Sequence, residues 1–147
     1  GIVPVAQGEL KNQERETTMK RILKIAIALI AFATPALADP AEGIWQTEVD
    51  DGAFAYVTIA PCGAAFCGMI SRTFRNGGEE YQSENIGRQI VIDMVAAGDG
   101  KYKGHAWRPS NDKIYVGKMS VAGNALVLKG CVAGGLICIG QDWIRVP

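Results

Sequence analysis

The chain has 147 residues, with 15 basic and 15 acidic side chains and one histidine. From Asp39 onward the charges are scattered and form no basic run, which disfavours nucleic acid and anionic membrane surfaces as partners. Residues 39–147 have the length of one small domain.

The segment from Met19 to Pro40 has the pattern of a secretory signal peptide. Basic side chains follow Met19, and the apolar run Ile25–Ala33 is too short to span a bilayer. Ala36-Leu37-Ala38 then supplies the small-x-small pattern that a signal peptidase reads. We therefore predict a signal peptide over residues 19–38, a mature N-terminus at Asp39, a periplasmic location and no stable membrane insertion.

The first 18 residues precede this pattern. Gly8–Thr18 is polar and has no apolar period, so no fold is predicted there. Either Met19 is the true start and residues 1–18 are a translated leader outside the native product, or a short extension precedes the signal. The first alternative is favoured, and both leave residues 39–147 as the single folded domain.

The four cysteines are Cys62, Cys67, Cys131 and Cys138. Each sequential pair flanks a short segment that resembles a tight turn between two strands, which would bring the flanking residues opposite one another. We therefore predict the local disulfides Cys62–Cys67 and Cys131–Cys138. Zinc bound by four thiolates is the alternative, but the Cys-x-x-Cys spacing is absent and the compartment is oxidising.

The apolar residues after Pro40 alternate with period two, and Gly, Asn, Asp and Pro interrupt them at short intervals. The pattern predicts eight strands. They are Gly43–Val49, Phe54–Pro61, Phe66–Phe74, Arg88–Ala96, Lys101–Trp107, Lys113–Val121, Ala125–Cys131 and Leu136–Val146. The polar segment Glu79–Gly87 is predicted to be an ordered loop.

Short connections between consecutive strands favour an antiparallel meander, and closing the meander removes its edges. We therefore predict an all-β fold, an eight-stranded antiparallel up-and-down barrel, with a two-sheet sandwich as the alternative. In a closed barrel the first and last strands pair, so that Arg145 can stack on Trp45. This arrangement resembles the lipocalin-type signature, in which an Arg from the last strand covers the Trp of a Gly-x-Trp start.

A set of short motifs in a fixed order carries a wider resemblance. They are Gly43-Ile44-Trp45, Pro61-Cys62-Gly63, Cys67-Gly68, Glu84-Asn85 with Arg88, Gly104 with Pro109, Lys113 with Tyr115, the run 126–131, and Trp143 with Arg145. The set resembles the domain of unknown function 2147 family of small secreted bacterial proteins over nearly all of residues 39–147. The resemblance implies a lipocalin-like barrel in the periplasm and no particular reaction.

The chain departs from that family's pattern at two places. Asn85-Ile86 stands where the family has Asn-Pro, and Ile90-Val91-Ile92-Asp93 replaces a Leu-Cys-Gly-Leu pattern. If these residues shape the mouth of a pocket, the ligand of this member differs from that of its relatives.

No enzymatic activity, cofactor or metal site is expected. His105 is the one histidine and lies on a predicted strand, and no Gly-x-Ser-x-Gly elbow is present. A metal site would need a cluster of histidines or carboxylates. The residues therefore give no support for nucleophilic or metal-assisted catalysis.

Two functions remain open. A small, mostly apolar ligand could bind inside the barrel, and alternation chooses Met69, Ile92, Tyr102 and Tyr115 as its lining, a choice that a one-residue register error would reverse. Alternatively, the core is filled and the protein is a non-enzymatic envelope or interaction module whose contact surface is Arg72–Glu84, with an unknown protein partner.

Overall fold

The computed structural model describes residues 37–147 and contains one antiparallel sheet of nine strands. The strands are β1 (Gly43–Gln46), β2 (Ala53–Cys62), β3 (Ala65–Arg75), β4 (Glu80–Tyr81), β5 (Gln89–Gly98), β6 (Lys101–Arg108), β7 (Lys113–Ala122), β8 (Ala125–Val132) and β9 (Ile137–Arg145). A short 3₁₀ turn, Ala133–Gly135, connects β8 to β9. Most of the predicted signal peptide lies outside the described residues.

The sheet closes into a barrel of eight strands. The hydrogen-bonded order runs β2-β1-β9-β8-β7-β6-β5-β3, and β3 pairs with β2 to complete the circle. The predicted eight-stranded barrel is therefore confirmed. Strand β4 is additional and pairs only with β3, within the segment that was predicted to be a loop.

Antiparallel connectivity gives the barrel two distinct ends. One end, which we call the closed end, carries the hairpins β2–β3, β5–β6 and β7–β8 together with the start of β1 and the end of β9. The other, the open end, carries the β1–β2 loop, the long β3–β5 connection, the β6–β7 turn and the β8–β9 connection.

The closed end is filled by Trp45 and its neighbours. Trp45 is fully buried, and its indole N–H donates to the carbonyl of Ala41 at 2.9 Å. The guanidinium of Arg145 lies 4.2 Å from the centre of the Trp45 ring and donates to the carbonyls of Glu42 and Pro40. The predicted contact between the first and last strands is confirmed, and it closes the barrel at this end.

Both predicted disulfides are present. Cys62–Cys67 closes the β2–β3 hairpin, and Cys131–Cys138 joins β8 to β9 across the 3₁₀ turn. The structure contains no free cysteine among residues 37–147. The local pairing follows from the hairpin geometry, because residues on either side of a tight connection lie opposite one another.

Strand β5 carries two irregularities that decide which of its side chains face inward. Gly68 and Met69 are adjacent on β3, but their partners on β5 are Val91 and Gln89. Ile90 is therefore an extra residue without a partner on β3. A second shift follows, and Asp93 there has a positive φ of 46°. As a result, Ile90 and Val91 are both buried although they are adjacent in the chain.

Residues Ala38–Pro147 form one compact unit. No helix among the described residues is long and apolar enough to cross a bilayer.

Candidate functional site: a cavity at the open end of the barrel

A cavity of about 500 Å³ occupies the open end of the barrel. Its apolar wall comes from buried residues of six strands. They are Ala55 on β2, Ile70 on β3, Ile90 on β5, Ala106 and Trp107 on β6, Leu128 on β8 and Trp143 on β9. Each of them is buried. The cavity exists because the large side chains that fill the interior, such as Trp45 and Met94, lie away from it in the rest of the core.

Two tryptophans of the wall have their polar atoms satisfied. The indole N–H of Trp107 donates to Asp112 at 2.8 Å, and that of Trp143 donates to Gln141 at 2.9 Å. The guanidinium of Arg88 lies 3.7 Å from the centre of the Trp107 ring. Because both rings are held by partners, they form fixed aromatic walls rather than mobile side chains.

One side of the cavity mouth is polar. Arg108 donates to both carboxylate oxygens of Asp50, at 3.0 and 3.1 Å, and Ser110 donates to the same carboxylate at 3.1 Å. The hydrogen bonds from Arg108 are the main reason that the pKa of Asp50 is lowered from its usual value. The pair links the β1–β2 loop to the end of β6, and so fixes that side of the mouth.

Another part of the mouth is apolar. Val132, Ile137 and Ile139 belong to the ends of β8 and β9 and line the cavity. Their exposed fractions are 48%, 62% and 80%, which are high for aliphatic side chains on paired strands. The mouth therefore offers one polar and one apolar face.

Of the four residues predicted to line a ligand site, Tyr115 lies at the cavity. It packs over Gly130, where a Cβ would stand 3.3 Å from the Cβ of Tyr115. Its hydroxyl accepts a hydrogen bond from Asn111 at 2.7 Å. The phenol is thereby oriented at the mouth, with one oxygen available to a ligand.

The structure does not bring Met69, Ile92 and Tyr102 to the cavity. Met69 is 48% exposed, because it is Ile70 that faces inward on β3. Ile92 lies between the two irregularities of β5, pairs with the exposed His105 and packs against the core outside the cavity lining. Strict alternation chose both residues. The extra residues in β5 shift the alternation at Ile92 by one position, whereas Met69 lies in a regular part of β3 and was assigned to the wrong face.

Tyr102 is buried at the closed end, far along β6 from the cavity residues Ala106 and Trp107. Its ring meets Phe66 edge to face with centres 6.0 Å apart, and its hydroxyl donates to Asp39. Burial, with the hydrogen bond to Asp39 as the second cause, raises the pKa of Tyr102 to about 12. Tyr102 therefore ties the start of the domain to the core.

The cavity residues that the prediction missed had only weak signals in the sequence. Ile70 directly follows the chosen Met69, Ile90 lies two residues before the chosen Ile92, and Trp107 is an aromatic residue next to the open end of β6. Aromatic residues close to the end of a barrel strand are candidates for a ligand wall, since the middle of a small barrel is filled.

The only grouping of metal-ligating side chains among residues 37–147 is Cys62, Cys67 and Asp93. Both sulfurs of this group are joined in the disulfide, so they are not thiolate ligands in this structure. His105 is exposed on β6 and does not line the cavity.

The fold and cavity define a lipocalin-like barrel. The structure is similar to protein HP1028 from the human pathogen Helicobacter pylori, described as belonging to the lipocalin family, with a TM-score of 0.54 and 18% sequence identity. The similarity covers 72% of this chain and 82% of that chain, and at this identity it establishes the fold alone.

The chain belongs to the family described as "Uncharacterized protein conserved in bacteria (DUF2147)", which matches residues 43–145. The family resemblance seen in the sequence motifs is thus confirmed. No curated protein matches the chain.

Proposed function

We propose that the protein is a periplasmic, non-enzymatic carrier that binds a small, mostly apolar molecule at the open end of its barrel. The observation that carries this proposal is the cavity of about 500 Å³ bounded by Trp107 and Trp143. That volume lies within the range of roughly 300–1,000 Å³ typical of small-molecule sites.

The lining supports an apolar ligand with few polar groups. Seven buried aliphatic and aromatic residues form the wall, whereas the hydroxyl of Tyr115 and the Asp50–Arg108 pair stand at the mouth. A ligand that enters apolar end first buries hydrocarbon against the indoles and keeps its polar end near these groups.

The periplasmic part of the proposal rests on the signal pattern of residues 19–38 and on the two disulfides. Disulfides persist in oxidising compartments and are rare in the cytosol. N-terminal sequencing of the exported protein tests this part: a start at Asp39 supports it, and retention of the apolar run Ile25–Ala33 would refute it.

The cavity also favours a carrier over an interaction module with a filled core. A barrel that serves only as a scaffold gains stability from filling its interior, because each unfilled volume forfeits packing contacts. A cavity this large is retained at a cost in stability, and ligand binding gives a reason for that cost.

Binding is tested with N-phenyl-1-naphthylamine, an uncharged apolar fluorophore. We expect saturable binding with energy transfer from the cavity tryptophans. Ile90→Trp places a bulky ring in the cavity and should weaken binding at least tenfold, and Leu128→Trp should do the same from another wall. Met69→Trp is the matched control, because it introduces the same ring on the exposed side of β3 and should leave binding unchanged.

Each variant is first compared with the parent by thermal melting, so that a loss of binding is not read from an unfolded sample. If the parent shows no saturable binding, or if Ile90→Trp and Leu128→Trp bind as tightly as Met69→Trp, the cavity is not the binding site and the carrier proposal fails.

A further inference from the structure

The two sides of β9 are paired very differently. Strand β8 pairs with β9 over Ile137–Ile144, whereas β1 pairs with it only at Arg145 and Ile144. Strand β1 ends at Gln46, and the chain then enters the loop that leads to β2. Along the first half of β9 the barrel therefore has a seam with no strand on the β1 side.

Two observations show which way the backbone of this segment points. The N–H of Asp142 donates to the carboxylate of Glu48 at 3.1 Å, away from β8. The Cα atoms of Cys131 and Cys138 are only 4.1 Å apart, a spacing typical of an opposed pair that does not exchange backbone hydrogen bonds. Because backbone direction alternates along a strand, the N–H and C=O groups of Cys138 and Gly140 point into the seam.

The seam is accessible and carries none of the usual protection. Ile139 and Gly140 are both exposed. The segment Leu136–Gly140 contains no charge and no proline, the two devices that most often protect a sheet edge from pairing. Among the described residues, the single side chain that satisfies a backbone donor along this edge is Glu48, at Asp142.

These features define the chemistry of an occupant. A row of alternating backbone donors and acceptors at strand spacing is complementary only to another extended peptide backbone. Ile137 and Ile139, which are 62% and 80% exposed, offer apolar contacts to alternate side chains of such a peptide.

We propose that the edge Ile137–Gln141 of β9 is a docking site for an extended, uncharged segment of a partner protein, which adds as an antiparallel strand. The hydrogen bonds from Cys138 and Gly140 supply the register, and apolar residues at alternate positions of the peptide contact Ile137 and Ile139. This edge adjoins the cavity mouth, because Ile137, Ile139 and Gly140 also line the cavity.

Amide hydrogen exchange of the folded protein tests the proposal without any substitution. The amides of Cys138 and Gly140 should exchange rapidly, and those of Ile139 and Gln141, which face β8, should be protected. A short acetylated and amidated peptide of alternating valine and threonine, with a lysine at each end, should then slow exchange at Cys138 and Gly140 by more than tenfold at saturation. The control is the same peptide with its central residue replaced by proline, which cannot pair and should have no effect.

A variant tests the same contact from the protein side. Gly140→Pro removes a donor that points into the seam and leaves the hydrogen bonds with β8 in place, so it should weaken peptide binding about tenfold. Protection of the β7–β8 amides confirms that the variant is folded. If the variant does not fold, the exchange experiment on the parent protein still tests the proposal.

Three results would overturn the proposal. The Gly140 amide is already protected in the monomer; or the peptide produces no change at millimolar concentration; or it perturbs the indole of Trp107 on β6 while the amides of Cys138 and Gly140 stay unprotected, which places it in the cavity. Protection of Gly140 that grows with protein concentration would assign the edge to a second copy of the chain, and would also contradict a separate partner.

Discussion

The Cys131–Cys138 disulfide stabilises the first half of β9, a part of the barrel that has a strand on only one side. We predict that replacing both residues with Ala lowers the free energy of unfolding and frays the first half of β9. The bridge closes a loop with a sequence separation of 7. The chain-entropy relation then gives a loss of about 2.5 kcal/mol.

The Cys62–Cys67 bridge offers a matched comparison. Its sequence separation is 5, and the same relation gives about 2.2 kcal/mol. Beside this bridge, however, β3 has a strand on both sides, since β5 pairs with it at Phe66 and Gly68, although β1 pairs with β2 only as far as Ile59. The two double Ala variants should therefore lose similar global stability but differ in local exchange.

Urea denaturation measures the global loss, and amide exchange at Ile139 and Gln141 measures the local one. In the Cys131→Ala/Cys138→Ala variant, the exchange rate at these two amides should rise by more than the loss of global stability explains. In the Cys62→Ala/Cys67→Ala variant, the rise in the exchange rate should match the loss of global stability. Equal local exchange in both variants would refute the argument that β9 depends on its bridge because it lacks a second neighbour.

Three further predictions concern the core and the closed end. Arg145→Ala removes the guanidinium from Trp45 and should cost about 1–3 kcal/mol, seen as a lower melting temperature; a variant that melts like the parent contradicts barrel closure by this contact. Gly68→Ala would place a Cβ 2.9 Å from Val57, so it should cost about 1–3 kcal/mol by overpacking, and unchanged stability in urea would argue against that close approach. The pKa of Tyr102 in the folded state is raised to about 12, so its contribution to folding stability is present below the unfolded value near 10 and is lost as pH rises through 12. Ultraviolet titration should show a tyrosine that ionises late and that Tyr102→Phe removes. If the late ionisation persists in that variant, it belongs to another tyrosine.

The sequence was sufficient for the barrel because its signals there are local and repeated. Period-two alternation and turn residues between short runs specify antiparallel neighbours. Trp45 and Arg145 lie on the first and last strands, so they can meet only if the sheet closes into a barrel. The disulfides followed from the same hairpin geometry. The strands, turns and disulfides depend on neighbours in the chain, which a single sequence displays directly.

The cavity wall was less predictable because it depends on single-residue shifts. The extra residue Ile90 and the positive φ of Asp93 in β5 reverse the inward and outward assignment of Ile92. Asp93 is a residue type that tolerates positive φ, but no glycine or proline marks either position in the sequence, and alternation alone chose Met69 where Ile70 faces the cavity. A bulge changes the local free energy of a strand little, and its position depends on the packing of the whole barrel. The residue pattern within one strand therefore does not reveal it.

Native mass spectrometry of the protein purified from its own host tests the central proposal most directly. The carrier account predicts a non-covalently bound small molecule in the parent protein and in Met69→Trp, and its loss in Ile90→Trp. A parent protein that carries no adduct and binds no apolar probe, or an adduct retained equally by Ile90→Trp, would contradict ligand binding in the barrel.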